Sequence, residues 1–199
     1  YNGHRRAVNK SGDYYSNKIE KMIPILKEGH AVVYTNWLDF GIKPITNILD
    51  ENKITYKVYY GQTNKLERAK IIKEFNKNKF DVLIITKAGG EGIDLKGARV
   101  LIVMDPVWNS AGIEQIKGRV IRYKSHSHLP PDERNVTIYF MVSTDPFIDS
   151  DETLQRYIND ETEENENPTE SGDIILYRII REKNLISKSI NTMLQKASI

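Results

Sequence analysis

Residues 81–94 read DVLIITKAGGEGID. The apolar, β-branched run within Asp81–Thr86 predicts a strand that is buried on both faces. The residues that follow include three glycines, and such a turn lets backbone N–H groups point towards an anion. Strands buried on both faces are typical of parallel sheets, whose ligands bind beyond the carboxyl ends of the strands. The glycines fit either a phosphate-binding turn or a plain tight loop.

The rest of the chain alternates short apolar runs with helical patterns. Further strands are expected at 31–35, 54–60, 100–104 and 136–142. Helices are expected at 16–28, 38–51, 64–76 and 111–122, and a last one from Ser171 to about Ala197. Helices between strands predict an α/β fold with a mostly parallel central sheet and helices on both sides.

Composition limits the classes of function. Residues 149–170 hold nine acidic residues and one arginine, a net charge of −8. Because the whole chain carries +2, the rest of the chain carries +10, a plausible footprint for a polyanion partner. Cysteine is absent, which excludes disulfides and thiolate metal sites and is compatible with a reducing compartment. No apolar run approaches the roughly 20 residues that span a bilayer, so no membrane contact is expected.

The segment Glu114–Arg122, EQIKGRVIR, carries the clearest chemistry. On a helix, Gln115, Arg119 and Arg122 share one stripe, because residues three and four apart are neighbours. Two guanidiniums on one face suit an anion with several oxygens, since each can donate a planar fork to phosphate. Gly118 removes a side chain beside that stripe and lets another surface approach closely. The alternative interpretation is a solvated basic face.

These segments resemble motifs of superfamily 2 helicases and translocases. Ile85–Leu95 is similar to motif V of the Swi2/Snf2 branch, and Gln115–Arg122 is similar to motif VI. The run VMDPVWN, residues 103–109, looks like the segment that follows motif V there. Two departures are visible: Asp94 replaces the usual Asn, and the tail YKSH after Arg122 resembles ATPases of large DNA viruses, of the poxvirus early-transcription-factor type.

The resemblance implies a RecA-like three-layer domain, the C-terminal lobe of two that close on ATP. We expect a flexible lead-in at 1–15, the lobe at 16–147, an acidic insertion at 148–170, and a C-terminal helix at 171–199 that packs on the lobe.

The resemblance also implies roles for individual residues. Arg119 and Arg122 would act on the γ-phosphate of ATP, which a first lobe would hold with Mg²⁺, and Gln115 would hydrogen-bond in the same cleft. The alternative is that one of the two arginines forms a salt bridge within its own domain. Gly92 and Asp94 would bind nucleotide, although Asp94 has the alternative of holding the two arginines. Contacts to nucleic-acid phosphate or bases are expected from Thr35, Asn36, Thr86, Lys87, Gly89, Gly90 and Trp108. Trp108 is otherwise a core aromatic.

The sequence contains no Gly-x-x-x-x-Gly-Lys-Ser/Thr run and no Asp-Glu-x-His or Asp-Glu-Ala-Asp sequence. We therefore expect an ATP-dependent helicase or translocase only in a full-length protein with an N-terminal RecA-like lobe, and no activity from this fragment. DNA is favoured over RNA as the partner. The expected location is intracellular, in a viral factory or virion if the viral resemblance holds.

Two other classes stay open. One is a non-catalytic nucleic-acid or protein binding scaffold derived from such a lobe, and the other is a stand-alone nucleotide-binding protein of doubly wound type. The intact Gln115, Arg119 and Arg122 argue against the scaffold, and the absent phosphate loop argues against the second class. His126 and His128 have no carboxylate at metal-ligand spacing, so we expect solvated or hydrogen-bonded histidines there.

Overall fold

A five-stranded sheet, in which every neighbouring pair of strands is parallel, forms the centre of the protein. The computed structural model describes residues 10–11, 14–15, 17–87, 93–105, 110–143 and 172–197. Its strands are β1 (Lys10–Ser11), β2 (Tyr14–Tyr15), β3 (Ala31–Tyr34), β4 (Tyr56–Tyr59), β5 (Val82–Ile85), β6 (Val100–Val103) and β7 (Thr137–Phe140). The order across the sheet is β4-β5-β3-β6-β7, and β1 pairs with β2 separately.

The helices lie on the connections between the strands. They are α1 (Asn17–Glu20), α2 (Met22–Leu26), α3 (Lys43–Glu51), α4 (Lys65–Phe75), α5 (Ser110–Val120) and α6 (Gly172–Ala197). A π-helix, Leu38–Ile42, precedes α3, and a 3₁₀ turn, Pro131–Glu133, precedes β7.

The central strands are buried at every residue and separate two cores. Along β3, Val32 and Tyr34 pack with α4 and α5, whereas Ala31 and Val33 pack with α1, α2 and α3. This alternation follows from the two-residue period of a strand. The layers of helix, sheet and helix confirm the predicted α/β, RecA-like architecture.

Two predicted helices differ in detail. The helix expected at 16–28 is broken at Lys21 into α1 and α2, because Pro24 has no N–H to donate to the carbonyl of Glu20. The helix expected at 38–51 begins as the π-helix, and Pro44 is accommodated in the first turn of α3. The predicted start of α4 is confirmed, since the Asn64 side chain accepts a hydrogen bond from the Glu67 N–H at 2.9 Å.

Parts of the predicted organisation lie outside the described residues. Within the expected lead-in, β1 and β2 form an antiparallel pair, and most of the other residues up to Ser16 are not described. The acidic insertion at 148–170 also lies outside the description. Among the helices that are described, none is long and apolar enough to cross a bilayer.

The first half of α6 is anchored to the lobe by a buried ion pair. Lys18 Nζ lies 2.7 Å from Asp173 Oδ2, and both side chains are 1% exposed. The same carboxylate oxygen accepts the N–H of Ser143 at 3.0 Å. Further along α6, Leu176 and Ile180 are buried but Ile186 is exposed. Among the described side chains of α6, the apolar residues are therefore buried over the first turns and exposed at Ile186.

Removing one partner of this pair should destabilise the chain strongly, because the remaining charge stays buried and unpaired. We expect Asp173→Ala to lower the free energy of unfolding by about 3–5 kcal/mol. The matched control is Asp39→Ala, which breaks the exposed pair with Lys43 and should cost no more than about 1 kcal/mol. Urea unfolding of both variants measures the difference. Equal losses would show that the buried pair does not anchor α6.

Candidate functional site

Polar side chains follow the ends of the three central strands at one edge of the sheet. Tyr34, Ile85 and Val103 are level in the register, so the residues after them meet. Thr35 donates from Oγ1 to Asp105 Oδ2 at 2.7 Å, and the backbone N–H of Asn36 donates to the same oxygen at 2.8 Å. We call this group, Thr35, Asn36 and Asp105, the carboxyl-edge cluster.

The carboxyl-edge cluster is closed on its outer side by the π-helix. A Cβ built on Gly41 would lie 2.1 Å from Thr35 Oγ1, so only glycine fits there. Thr35 is 0% exposed, and Asp105 is 2% exposed. The expected contact between the Thr35 hydroxyl and a phosphate is therefore not available in this conformation, and Thr35 instead positions the following residues.

The remaining predicted contacts at this edge differ in their accessibility. Lys87 is exposed directly after Thr86, which is itself buried. Asn36 is half-buried, and its side-chain oxygen accepts a hydrogen bond from the Tyr34 hydroxyl at 2.7 Å. Gly89, Gly90 and Trp108 lie outside the described residues. Lys87, the cation that the sequence predicts at this edge, is thus accessible to a partner.

The C-terminal helix approaches the same edge from the side. Burial raises the pKa of the Tyr177 hydroxyl, and the nearby carboxylates of Asp173 and Asp105 raise it further. The Tyr177 hydroxyl is therefore neutral, near both Asp173 of the buried ion pair and Asp105 of the carboxyl-edge cluster.

The arginines lie at the other end of the molecule. Helix α5 has 11 residues and runs back across the sheet for about 16 Å. It ends at Val120, two residues earlier than predicted, so Arg122 lies in the turn after the helix rather than on its stripe. The turn forms because Ser125 N–H donates to the Arg122 carbonyl at 3.0 Å and Lys124 adopts φ +63°.

Arg122 pairs with a carboxylate of its own lobe. Its Nη1 lies 3.5 Å from Asp94 Oδ1, and both side chains are about half exposed. Of the two roles left open for Asp94, this contact favours holding the arginine. Asn76, the residue that ends α4, fixes the loop by donating to the Asp94 carbonyl at 3.1 Å and accepting from Lys96 N–H at 2.8 Å.

The other motif VI residues are open to solvent. Gln115 is exposed and Arg119 is half-buried. Within the described ranges, no hydrogen bond or ion pair involves the Arg119 guanidinium, while its carbonyl accepts from Leu95 N–H at 3.3 Å. Gly118 faces open space, with nothing within 4 Å of a built Cβ. Gly92 lies outside the described residues.

The site residues predicted from the sequence therefore lie in two separate places on the sheet. Thr35, Asn36, Thr86 and Lys87 lie where the strands end, whereas Arg119, Arg122 and Asp94 lie towards the opposite edge, where β6 begins. Sequence reasoning missed Gly41 and Asn76, and it gave Asp105 no role. The signal for Asp105 was its place directly after an apolar strand, because a carboxylate there must find buried donors.

The described residues offer no metal centre. No group of three or more His, Asp or Glu side chains within the described ranges is arranged to hold an ion. His126 is buried and hydrogen-bonded to Ser125 and to the Ala98 carbonyl.

An open cleft at the amino-terminal edge of the sheet, lined in part by Lys27, His30 and Asp81, contains none of the predicted site residues.

Comparison with known proteins gives a family. Residues 17–124 match the helicase conserved C-terminal domain. A candidate ATP-dependent RNA helicase, L538 of Acanthamoeba polyphaga mimivirus, is 38% identical over 66% of this chain and 30% of its own length. Nucleoside triphosphatase I of Choristoneura biennis entomopoxvirus is 33% identical over 58% of this chain and 19% of its own length.

Other matches agree with these. A termination factor NPH-I homolog of African swine fever virus is 30% identical over 59% of this chain and 17% of its own length. Among solved structures, the C-terminal part of the Fun30 ATPase domain has a TM-score of 0.58 at 19% identity, covering 87% of this chain and 56% of that one. The chain thus spans less than a third of these curated relatives, and the predicted viral and helicase resemblance is confirmed.

Gly41→Ala should damage the carboxyl-edge cluster, because the new methyl group overlaps the buried Thr35 hydroxyl. We expect a loss of about 1–3 kcal/mol in the free energy of unfolding, as for other overpacked cores. Gly118→Ala is the matched control: its methyl meets open space on a helix, so this variant should gain up to about 1 kcal/mol. Chemical denaturation distinguishes them, and an unchanged or raised stability for Gly41→Ala would contradict the tight contact.

Proposed function

Since the chain belongs to the helicase conserved C-terminal domain family, we propose that it acts as the second lobe of an ATP-driven nucleic-acid helicase or translocase and supplies arginines to ATP held by a first lobe. The observation that supports this role most directly is the pair Arg119 and Arg122 at the end of α5. Both guanidiniums are accessible to a second body, and Gly118 leaves room beside them.

Energetics favour transfer of Arg122 from its own lobe to a nucleotide. An ion pair as exposed as that with Asp94 is worth about 0–1 kcal/mol. A hydrogen bond from guanidinium to a charged phosphate oxygen is worth about 1.5–3 kcal/mol, and a guanidinium can make two of them. Arg122 would therefore leave Asp94 when a γ-phosphate comes within reach, and Asp94 would hold it in place until then.

The chemistry of phosphoryl transfer suits such a residue. Negative charge spreads over the equatorial oxygens of the transferred group, so catalysis depends on positioned cations more than on covalent help. Arg119 and Arg122 would donate to these oxygens, and Gln115 would hydrogen-bond in the same cleft. Bound ATP and Mg²⁺ supply the phosphoryl group and its charge neutralisation. In this proposal another lobe holds both, since this sequence contains no phosphate-binding loop.

The carboxyl edge would track the nucleic-acid backbone. Lys87 is exposed there, and the carboxyl-edge cluster fixes the backbone of Asn36 beside it. The charge of +10 outside the acidic stretch supports a sequence-independent attraction to phosphate. We favour DNA over RNA on the Swi2/Snf2 resemblance, and the viral relatives make a viral factory or virion the proposed location.

Arg122→Ala should lower kcat of the complete two-lobed protein much more than it changes KM for ATP. Arginines that act on the transition state contribute about 10³–10⁵ in rate in other phosphoryl-transfer enzymes, and helicase values can be smaller. Steady-state phosphate release at saturating nucleic acid measures both constants. The control is Lys117→Ala, on α5 just before the turn that carries Arg122; Lys117 is paired with Glu114, and the variant should leave kcat unchanged.

Two results would contradict this assignment. A raised KM with unchanged kcat would mean that Arg122 only binds nucleotide. Substantial turnover by the present 199-residue chain alone would mean that no first lobe is needed.

Binding of nucleic acid by the isolated lobe should be weak, independent of sequence and strongly dependent on salt, since each neutralised phosphate releases condensed counterions. Lys87→Ala should weaken it about equally on all sequences and reduce the salt slope by about one unit. Lys27→Ala, an exposed lysine at the opposite edge, is the control and should change neither quantity. Anisotropy titrations of DNA and RNA at several salt concentrations test this; binding that ignores salt would exclude a phosphate-tracking face.

A further inference from the structure

We propose that the buried pair Ser125 and His126 positions Arg122 for catalysis. The proposal rests on the arginine role proposed above and assigns two residues that lie outside the motif itself. Ser125 is 2% exposed and His126 is 8% exposed, so solvent does not explain their polarity. Ser125 is instead joined to the backbone of Arg122, and both residues are joined to the segment that leads into β6.

Hydrogen bonds connect Arg122 to Ala98 through Ser125 and His126. His126 Nε2 lies 2.6 Å from the Ala98 carbonyl, which only accepts, so Nε2 carries the proton. The other ring nitrogen, Nδ1, lies 2.7 Å from the Ser125 hydroxyl oxygen. The same hydroxyl donates to the Arg122 carbonyl at 2.8 Å, and its oxygen accepts the Arg122 N–H at 3.2 Å. The resulting chain is Arg122 to Ser125 to His126 to Ala98.

A second bond fixes the same turn from its other side. Gly97 N–H donates to the Ser125 carbonyl at 3.0 Å, and Gly97 adopts φ +72°, which favours glycine. Gly97 and Ala98 precede β6 closely, so the turn that holds Arg122 is attached to the start of a strand that is buried at every residue. The Asp94 side chain holds only the tip of Arg122. The Ser125–His126 pair holds the Arg122 backbone, and this fixes the position from which the guanidinium can move.

The consequence is specific for catalysis. When Arg122 leaves Asp94, its reach towards phosphate is determined by the position of its backbone. A displacement of about 1 Å can cost about 100-fold in rate. Loss of the Ser125 hydroxyl should therefore reduce kcat while leaving ATP binding nearly intact.

A double-mutant cycle in the complete two-lobed protein tests the proposal. Ser125→Ala should lower kcat roughly 10–100-fold, with KM for ATP changed about twofold at most. In an Arg122→Ala background the same substitution should change kcat about twofold at most, because there is no guanidinium left to position. Ser127→Ala and His128→Gln place the matched substitutions on exposed neighbours and should leave kcat at the wild-type value.

The outcomes separate the two proposals. An equal loss from Ser125→Ala in both backgrounds would reduce the pair to a structural contact and overturn the inference. Full activity of Ser125→Ala, beside a defective Arg122→Ala, would overturn it as well. An active Arg122→Ala would instead refute the arginine role itself. Thermal unfolding is recorded for each variant, and if Ser125→Ala does not fold, His126→Gln, which keeps the serine hydroxyl, is taken through the same cycle.

Discussion

Parallel pairing of β3 with both β5 and β6 is the constraint on which the rest of the structure depends. It brings the ends of three strands level, so that Thr35 and Asp105, 70 positions apart, meet within hydrogen-bond distance. It also forces every connection to return to the opposite edge before the next strand can begin. The loop after Thr86 and the helix α5 both make that return, and the return carries Asp94 and Arg122 away from the carboxyl edge.

This arrangement places the two proposed binding surfaces at opposite edges of the sheet in one lobe. Lys87 and the carboxyl-edge cluster lie at the end proposed to contact nucleic acid, and Arg122 lies at the end proposed to contact ATP. The loop from Thr86 to Arg99 belongs to both, because it begins at the first end and finishes where Gly97 and Ala98 hold the turn after α5.

Periodicity predicted the elements well, because strands buried on both faces and amphipathic helices are local patterns. Periodicity failed where contacts between residues distant in the sequence determine the end of a helix or the burial of a side chain. The end of α5 at Val120 depends on Ser125, which captures the Arg122 backbone, and the burial of Thr35 depends on Gly41 and on Asp105. The separation of the arginines from the phosphate-contacting edge follows from chain direction in the sheet, which motif spacing does not report.

The central claim is that Arg122 moves from Asp94 to the transferred phosphoryl group when two lobes close. A structure of the complete protein with nucleic acid and ADP–aluminium fluoride would test it most directly. We expect the Arg122 guanidinium within about 3 Å of the fluoride that mimics the γ-phosphate, with Asp94 released and the turn at Ser125 and His126 unchanged. Closed lobes around the analogue, with Arg122 still paired to Asp94, would contradict it.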